Sequence, residues 1–412
     1  MSTPHCCDDA ACPAPLIPGP DAPSRPRHEW RGLLLDSART VWSIAEICEL
    51  LEVMGRYRLN VLHWHLSDDA GWRFPVPGFP NLLEVAARLP REPFEWYDNV
   101  DQDKRRAALD SAPPGSSHGW YDDDDIRRVL ACATEHGIRV MPEVDLPGHM
   151  GAVIRAYPHL GDPALAELPV DAWTHRNDLL WPGAAADEFV VAVLDRVVQL
   201  FDHPLVHIGG DECDYKVWEA DKTLMAEMAG QGITDGRGIQ GRFTELARSH
   251  LASLGRRIAV WDEVTETPTT GEEVIIGWRD DVGVPAARKS GNPWVHGDAA
   301  VLYLNRLAGP VETEPAGMFG AITSADIVQA AVPQDDPNLL GVQAAVWCEF
   351  IPDRGRLHYH VFPRLLAVAE LAWNGPLDAD QLADFEKRLA MEIEWLSSHG
   401  ILGRPLDAVG VA

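Results

Sequence analysis

Asp211 and Glu212 stand side by side after two glycines, in the stretch Val206-His207-Ile208-Gly209-Gly210-Asp211-Glu212. Adjacent Cα atoms are ~3.8 Å apart, so both carboxyl groups occupy one small volume. Like charges that close push at least one pKa upward. A carboxyl protonated near neutral pH can act as a general acid beside one that stays ionised. Most acidic pairs are solvated turns. This one follows Leu205 to Ile208, an apolar run that reads as a short buried strand, and the glycines let the backbone turn tightly and a ligand come close.

A second set of residues recurs at the ends of apolar runs: Trp261, Trp278 and Trp347, with Asp69, Glu263 and Glu349. Any one indole in that place is ordinary packing. Taken together, indole faces for C–H surfaces and carboxylates for hydroxyls suit a neutral sugar. Gly209-Gly210 has no Lys-Ser/Thr after it, so the phosphate-cradling loop is missing. His63-Trp64-His65, with His149 and His207, offers another chemistry. A His-x-His pair on a strand puts both rings on one side, which suits a metal-dependent barrel hydrolase. Histidines packed to orient Asp68 or Asp69 are the plainer reading. A third possibility is a sugar-binding barrel without catalysis, although a lectin has no need of a proton donor. His5, Cys6, Cys7 and Cys12 match no zinc spacing.

These residues need a scaffold. Eight apolar runs serve as expected strands: 32–35, 59–62, 138–144, 205–208, 257–260, 274–276, 299–303 and 342–346. They are apolar throughout, as strands buried on both faces are. Helical spacing falls at 42–57 (Ser43 as N-cap), 122–136, 187–201, 240–254, 281–290, 358–373 and 379–399. The ten or so residues between the fifth and sixth strands contain Pro268, leaving room for a short helix at most. The pattern predicts an α/β fold, a (β/α)8 TIM barrel with its site at the C-terminal strand ends. A doubly wound open sheet is the alternative. Residues 1–28 are rich in proline and read as a flexible tail before a barrel spanning 29–412.

The formal net charge of −28 on 412 residues argues against nucleic acid and anionic membranes as partners. A polar start without an apolar core of signal-peptide type, and seven scattered cysteines, point to the cytoplasm. A monomer or homodimer is expected, with no cofactor.

Four stretches resemble glycoside hydrolase family 20: Arg31 to Arg39; Asn60 to Asp69 with Gly71-Trp72-Arg73; Pro142 to His149; and His207 to Glu212. Members are exo-acting β-N-acetylhexosaminidases on a (β/α)8 barrel. The resemblance implies Glu212 as general acid/base and Asp211 as orienter of the substrate's 2-acetamido group, whose carbonyl oxygen is the nucleophile. It implies Arg31 and Glu349 at the sugar's outer hydroxyls, and Trp261, Trp278 and Trp347 as walls. Tyr303 would donate to the acetamide oxygen, with Asp69 and His149 in support. The substrate would be an N-acetylhexosamine-terminated oligosaccharide or glycoconjugate. Two departures stand out. Relatives often carry a domain before the barrel, so a stand-alone barrel is expected. Relatives often have Asp where this chain has Asn305, which bears on GlcNAc against GalNAc preference.

Overall fold

A computed structural model describes residues 14–19, 22–89, 102–165 and 178–405. His5, Cys6, Cys7 and Cys12 lie outside these. Eight parallel strands close into a barrel: β1 (Trp30–Asp36), β2 (Val61–His65), β3 (Arg139–Glu143), β4 (Leu205–His207), β5 (Arg257–Trp261), β6 (Val274–Gly277), β7 (Trp294–His296) and β8 (Leu339–Val346). Neighbours in sequence are neighbours in space, and β8 pairs with β1, Leu35 opposite Val346.

Strand parity sorts the side chains. On β1, Leu33 and Leu35 join the large cluster under the helices, whereas Trp30 and Leu34 belong to a separate cluster with Val61, Met141, Val274 and Ile276. Successive residues of a strand face opposite sides, so the second cluster fills the barrel's interior. The same parity carries Asp36, His65, Glu143, Trp261 and Trp347 inward at the strands' C-terminal ends.

The helices include α1 (Ile44–Arg56), α2 (Asp123–Glu135), α3 (Ala184–Leu200), α4 (Gly236–Ser253), α5 (Gly283–Ser290), α6 (Ala299–Leu302), α7 (Arg354–Val361), α8 (Arg364–Asn374) and α9 (Ala379–Ser398). Ser43 caps α1 in a reciprocal box with Glu46, and Asp122 does the same for α2 with Asp125. Only one turn of 3-10 helix, Asp262–Glu266, links β5 to β6, as the short connection requires. No helix among the described residues is long and apolar enough to cross a membrane.

Three expectations need correction. The seventh strand is Trp294–His296, not 299–303: Asp298 caps the short helix α6, and Tyr303 follows it with a single bridge to Ala345. The expected helix over 358–373 is two, α7 and α8, separated at Phe362-Pro363 because proline has no N–H for the ladder. The described part of the expected loose tail is packed. Ile17 is fully buried, Leu16 N–H donates to Glu392, and Arg27 N–H donates to the Trp373 carbonyl.

Candidate active site

The loop after β4 is shaped by what lies behind it. Gly209 has φ 65°, and a Cβ there would sit 1.5 Å from Asp145 Oδ1, so no other residue fits. Gly210 N–H donates to that same oxygen at 3.2 Å. The chain then delivers Asp211 and Glu212. Asp211 is buried and its Oδ1 has no hydrogen-bond partner among the described residues, whereas the Glu212 side chain is 51% exposed. Burial first, then the neighbouring Asp145, raises the Asp211 pKa well above the usual range.

His149 faces the pair, its Nε2 lying 3.8 Å from Asp211 Oδ2 and 3.6 Å from Glu212 Oε2. Its Nδ1 is 3.1 Å from Asp69 Oδ2, and Asp69 Oδ1 accepts from Gly151 N–H at 2.8 Å. Burial would lower the His149 pKa, but Asp68, Asp69 and Asp211 raise it well above its ordinary value. The ring is therefore an imidazolium poised beside two acids. Asp69 is the member of its pair that touches His149 closely. Asp68 turns instead to His65 Nε2 at 3.0 Å and to Arg39 at 2.8 Å.

Below this layer Glu143 gathers three histidines. His207 Nδ1 is 2.7 Å from Oε1, His63 Nε2 is 3.2 Å from Oε2, and His65 Nδ1 shares Oε2. Burial opposes its ionisation, but His65 and His207 hold the carboxyl well below its usual range. Burial likewise opposes charge on His65, yet Glu143 and Asp68 raise it well above its normal pKa. His63 is lowered to about 4 chiefly by burial, with Gln343 Nε2 2.9 Å from its Nδ1 and its Nε2 turned to Glu143. The pair His63 and His65 is thus an internal strut, the plainer of the two readings of that stretch.

Aromatic rings wall the mouth. Trp278 and Tyr303 stack at 6.1 Å with 14° between planes, and Trp347 stands 6.0 Å from Trp261 and 6.2 Å from Tyr303. Trp278 Nε1 donates to Glu263 Oε2 at 3.1 Å. Burial and then Asp262 push Glu263 well above the usual carboxylate range. Glu349 is buried with Oε2 unpartnered among the described residues, and burial, against the pull of Arg39, raises it to about 7. Asn305 is also buried: Nδ2 reaches Met318 Sδ at 3.8 Å and Oδ1 has no partner among those residues.

Arg31 is not at this site. It begins β1, so it lies at the opposite end of the barrel, donating to the carbonyls of Arg58 and His28 and lying over Trp373. The cation on the rim is Arg39, eight positions on and past the strand's C-terminal end. It pairs with Asp36 at 3.3 Å and Asp68 at 2.8 Å and covers the Trp347 ring at 5.5 Å. Asp36 itself accepts from Ala38, Arg39 and Cys348 N–H groups, tying the loop to the end of β8. The direction of β1 was the signal that separates the two arginines.

Residues 28–376 match the sequence profile described as glycosyl hydrolase family 20, catalytic domain. A β-hexosaminidase of Porphyromonas gingivalis is 30% identical over 93% of this chain and 48% of its own length. One from Vibrio furnissii is 30% identical over 86% of this chain and 58% of its own. The chain thus spans about half the length of these relatives. Among solved structures, an exo β-N-acetylglucosaminidase of Vibrio harveyi in complex with N-acetylglucosamine superposes with a TM-score of 0.78 at 30% identity, over 92% of this chain and 59% of that one. With the profile spanning the barrel from before β1 to beyond α8, this chain belongs to glycosyl hydrolase family 20.

Proposed function

We propose that this chain is a retaining exo-β-N-acetylhexosaminidase that removes terminal non-reducing GlcNAc or GalNAc by substrate-assisted catalysis. The observation that carries the reading is the division of labour between neighbours: Asp211 is buried with a free oxygen, and Glu212 is half open at the mouth.

Glu212 protonates the departing glycosidic oxygen. Asp211 accepts the acetamido N–H as its carboxylate, the charge that burial disfavours in the free chain being offset by the cation that develops on the substrate, and turns the carbonyl oxygen onto the anomeric carbon. An oxazolinium ion forms in place of a glycosyl-enzyme, and Asp211 faces its positive charge at short range. Water then enters with Glu212 as base, and the configuration is retained. His149, as an imidazolium, stabilises the Glu212 carboxylate between the two steps. Tyr303 donates to the acetamide oxygen, and Trp261, Trp278 and Trp347 enclose the acetamide and the ring. Arg39, in the role first expected of Arg31, holds the outer hydroxyls with Glu349, and Asn305 stands on that approach as a neutral group. Substrates are neutral glycan ends, consistent with a formal charge of −28.

The test is release of the aryl group from an aryl β-N-acetylglucosaminide and from the matching β-glucoside, with wild type and Glu212→Gln, with and without a chelator. Cleavage of the N-acetyl substrate alone, lost in the variant and indifferent to the chelator, is expected. Equal rates on both glycosides would sink the substrate-assisted route. Loss of activity on chelation would return attention to the histidines.

A further inference from the structure

The helical layer carries two cysteines that the site does not use. Cys48 lies on α1 and Cys132 on α2, helices that pack side by side although the residues are 84 positions apart. Cys132 Sγ lies 3.9 Å from the Cys48 carbonyl oxygen, its S–H donating there. Both are half-buried, so a small reagent can reach them. The other described cysteines are placed differently. Cys348 is buried with its sulfur on the Val346 carbonyl, and Cys213 sits among active-site carboxylates.

We propose that Cys48 and Cys132 are a modification site, closing to a reversible disulfide that staples α1 to α2 when a low-molecular-weight disulfide is present. One sulfur already rests against the other residue's backbone on two packed helices, the proximity a disulfide requires. The neighbouring Cys132 holds the Cys48 thiol below its usual pKa, and Cys48 in turn, then burial, pushes Cys132 up. Cys48 therefore attacks first, as the thiolate. It displaces one reagent thiol and is left as a mixed disulfide. Cys132 then gives up its proton to solvent, attacks the Cys48 sulfur and expels the second reagent thiol. Two protein S–H bonds and one reagent S–S bond become one protein S–S bond and two reagent S–H bonds, so the exchange balances. Glu135 lies near both sulfurs and Glu52 near Cys132. A cationic disulfide is drawn to that face and an anionic one repelled.

The experiment treats the full folded chain with cystamine or with oxidised glutathione, then maps unreduced peptides by mass spectrometry and follows thermal unfolding. A Cys48–Cys132 linked peptide is expected, formed several-fold faster with cystamine at low salt. The melting temperature should rise and fall back on adding dithiothreitol. In Cys132→Ser, Cys48 should remain a stable mixed disulfide. Wild-type protein that keeps mixed disulfides at both positions, or links either cysteine only elsewhere, would overturn the proposal. A faster reaction with oxidised glutathione would overturn the part assigned to the glutamates.

Discussion

His149 and Glu212 face each other at 3.6 Å, and both hold their side chains there from a left-handed backbone, φ 51° and 50°. Such a backbone costs a residue with a Cβ about 1–2 kcal/mol. Two elements spend stability to aim one contact. Replacing Glu212 by glycine removes that cost, partly offset by the entropy glycine loses on folding. We expect Glu212→Gly to be inactive yet more stable than wild type by about 1 kcal/mol, read from urea midpoints. A variant less stable than wild type would mean that the strain is not stored there.

Arg39 and Arg31 should separate in kinetics. Arg39→Lys keeps the charge but loses the planar fork. It should lower kcat/KM on the N-acetyl substrate by about 10- to 100-fold, mostly through KM, since a hydrogen bond to a charged group contributes about 1.5–3 kcal/mol. Arg31→Lys, at the other end of the barrel, should leave both constants within about two-fold and lower stability by less than about 1 kcal/mol. Equal kinetic effects from the two would contradict the assignment.

Gly209→Ala places a methyl on Asp145 Oδ1 and demands a left-handed alanine. The loop must move, and the loss should exceed about 3 kcal/mol, with activity falling because Asp211 and Glu212 move with it. Denaturant unfolding of the variant measures this. A midpoint within about 1 kcal/mol of wild type would show that the loop gives way freely.

Glu349 makes stability depend on pH in a stated direction. Its folded pKa, raised to about 7, lies above the ordinary value of about 4.3. Between those values the folded chain binds more proton than the unfolded one, so stability falls as pH rises through this window. Glu349→Gln lacks this term. Its stability relative to wild type should improve by about 3 kcal/mol between pH 5 and pH 8. A constant difference across that range would place the Glu349 pKa near normal.

The barrel was legible because its strands are uniformly apolar and end in polar or aromatic residues. Seven of eight strands fall where expected, within a few residues. The seventh does not, because β7 has only three residues, Trp294–His296, too few for a pattern. The run from Ala299 looks like a strand, but the Asp298 cap turns it into helix. Arg31 and Arg39 stand in one motif, and the direction of β1 decides that Arg39 reaches the rim. The partners of Glu143 come from β2 and β4, distant in sequence, so only the closed barrel shows that those histidines serve a carboxylate.

The interior of the barrel has two storeys. Below, Trp30, Val61 and Val274 interlock as an apolar plug; above, Glu143 and its histidines form a charged one. An engineer seeking a hardier protein has more room in the lower storey, where Trp30 alone of these three is tied to the polar network, through Gln343. The upper one admits no such liberty, because each exchange there strands a partner's charge.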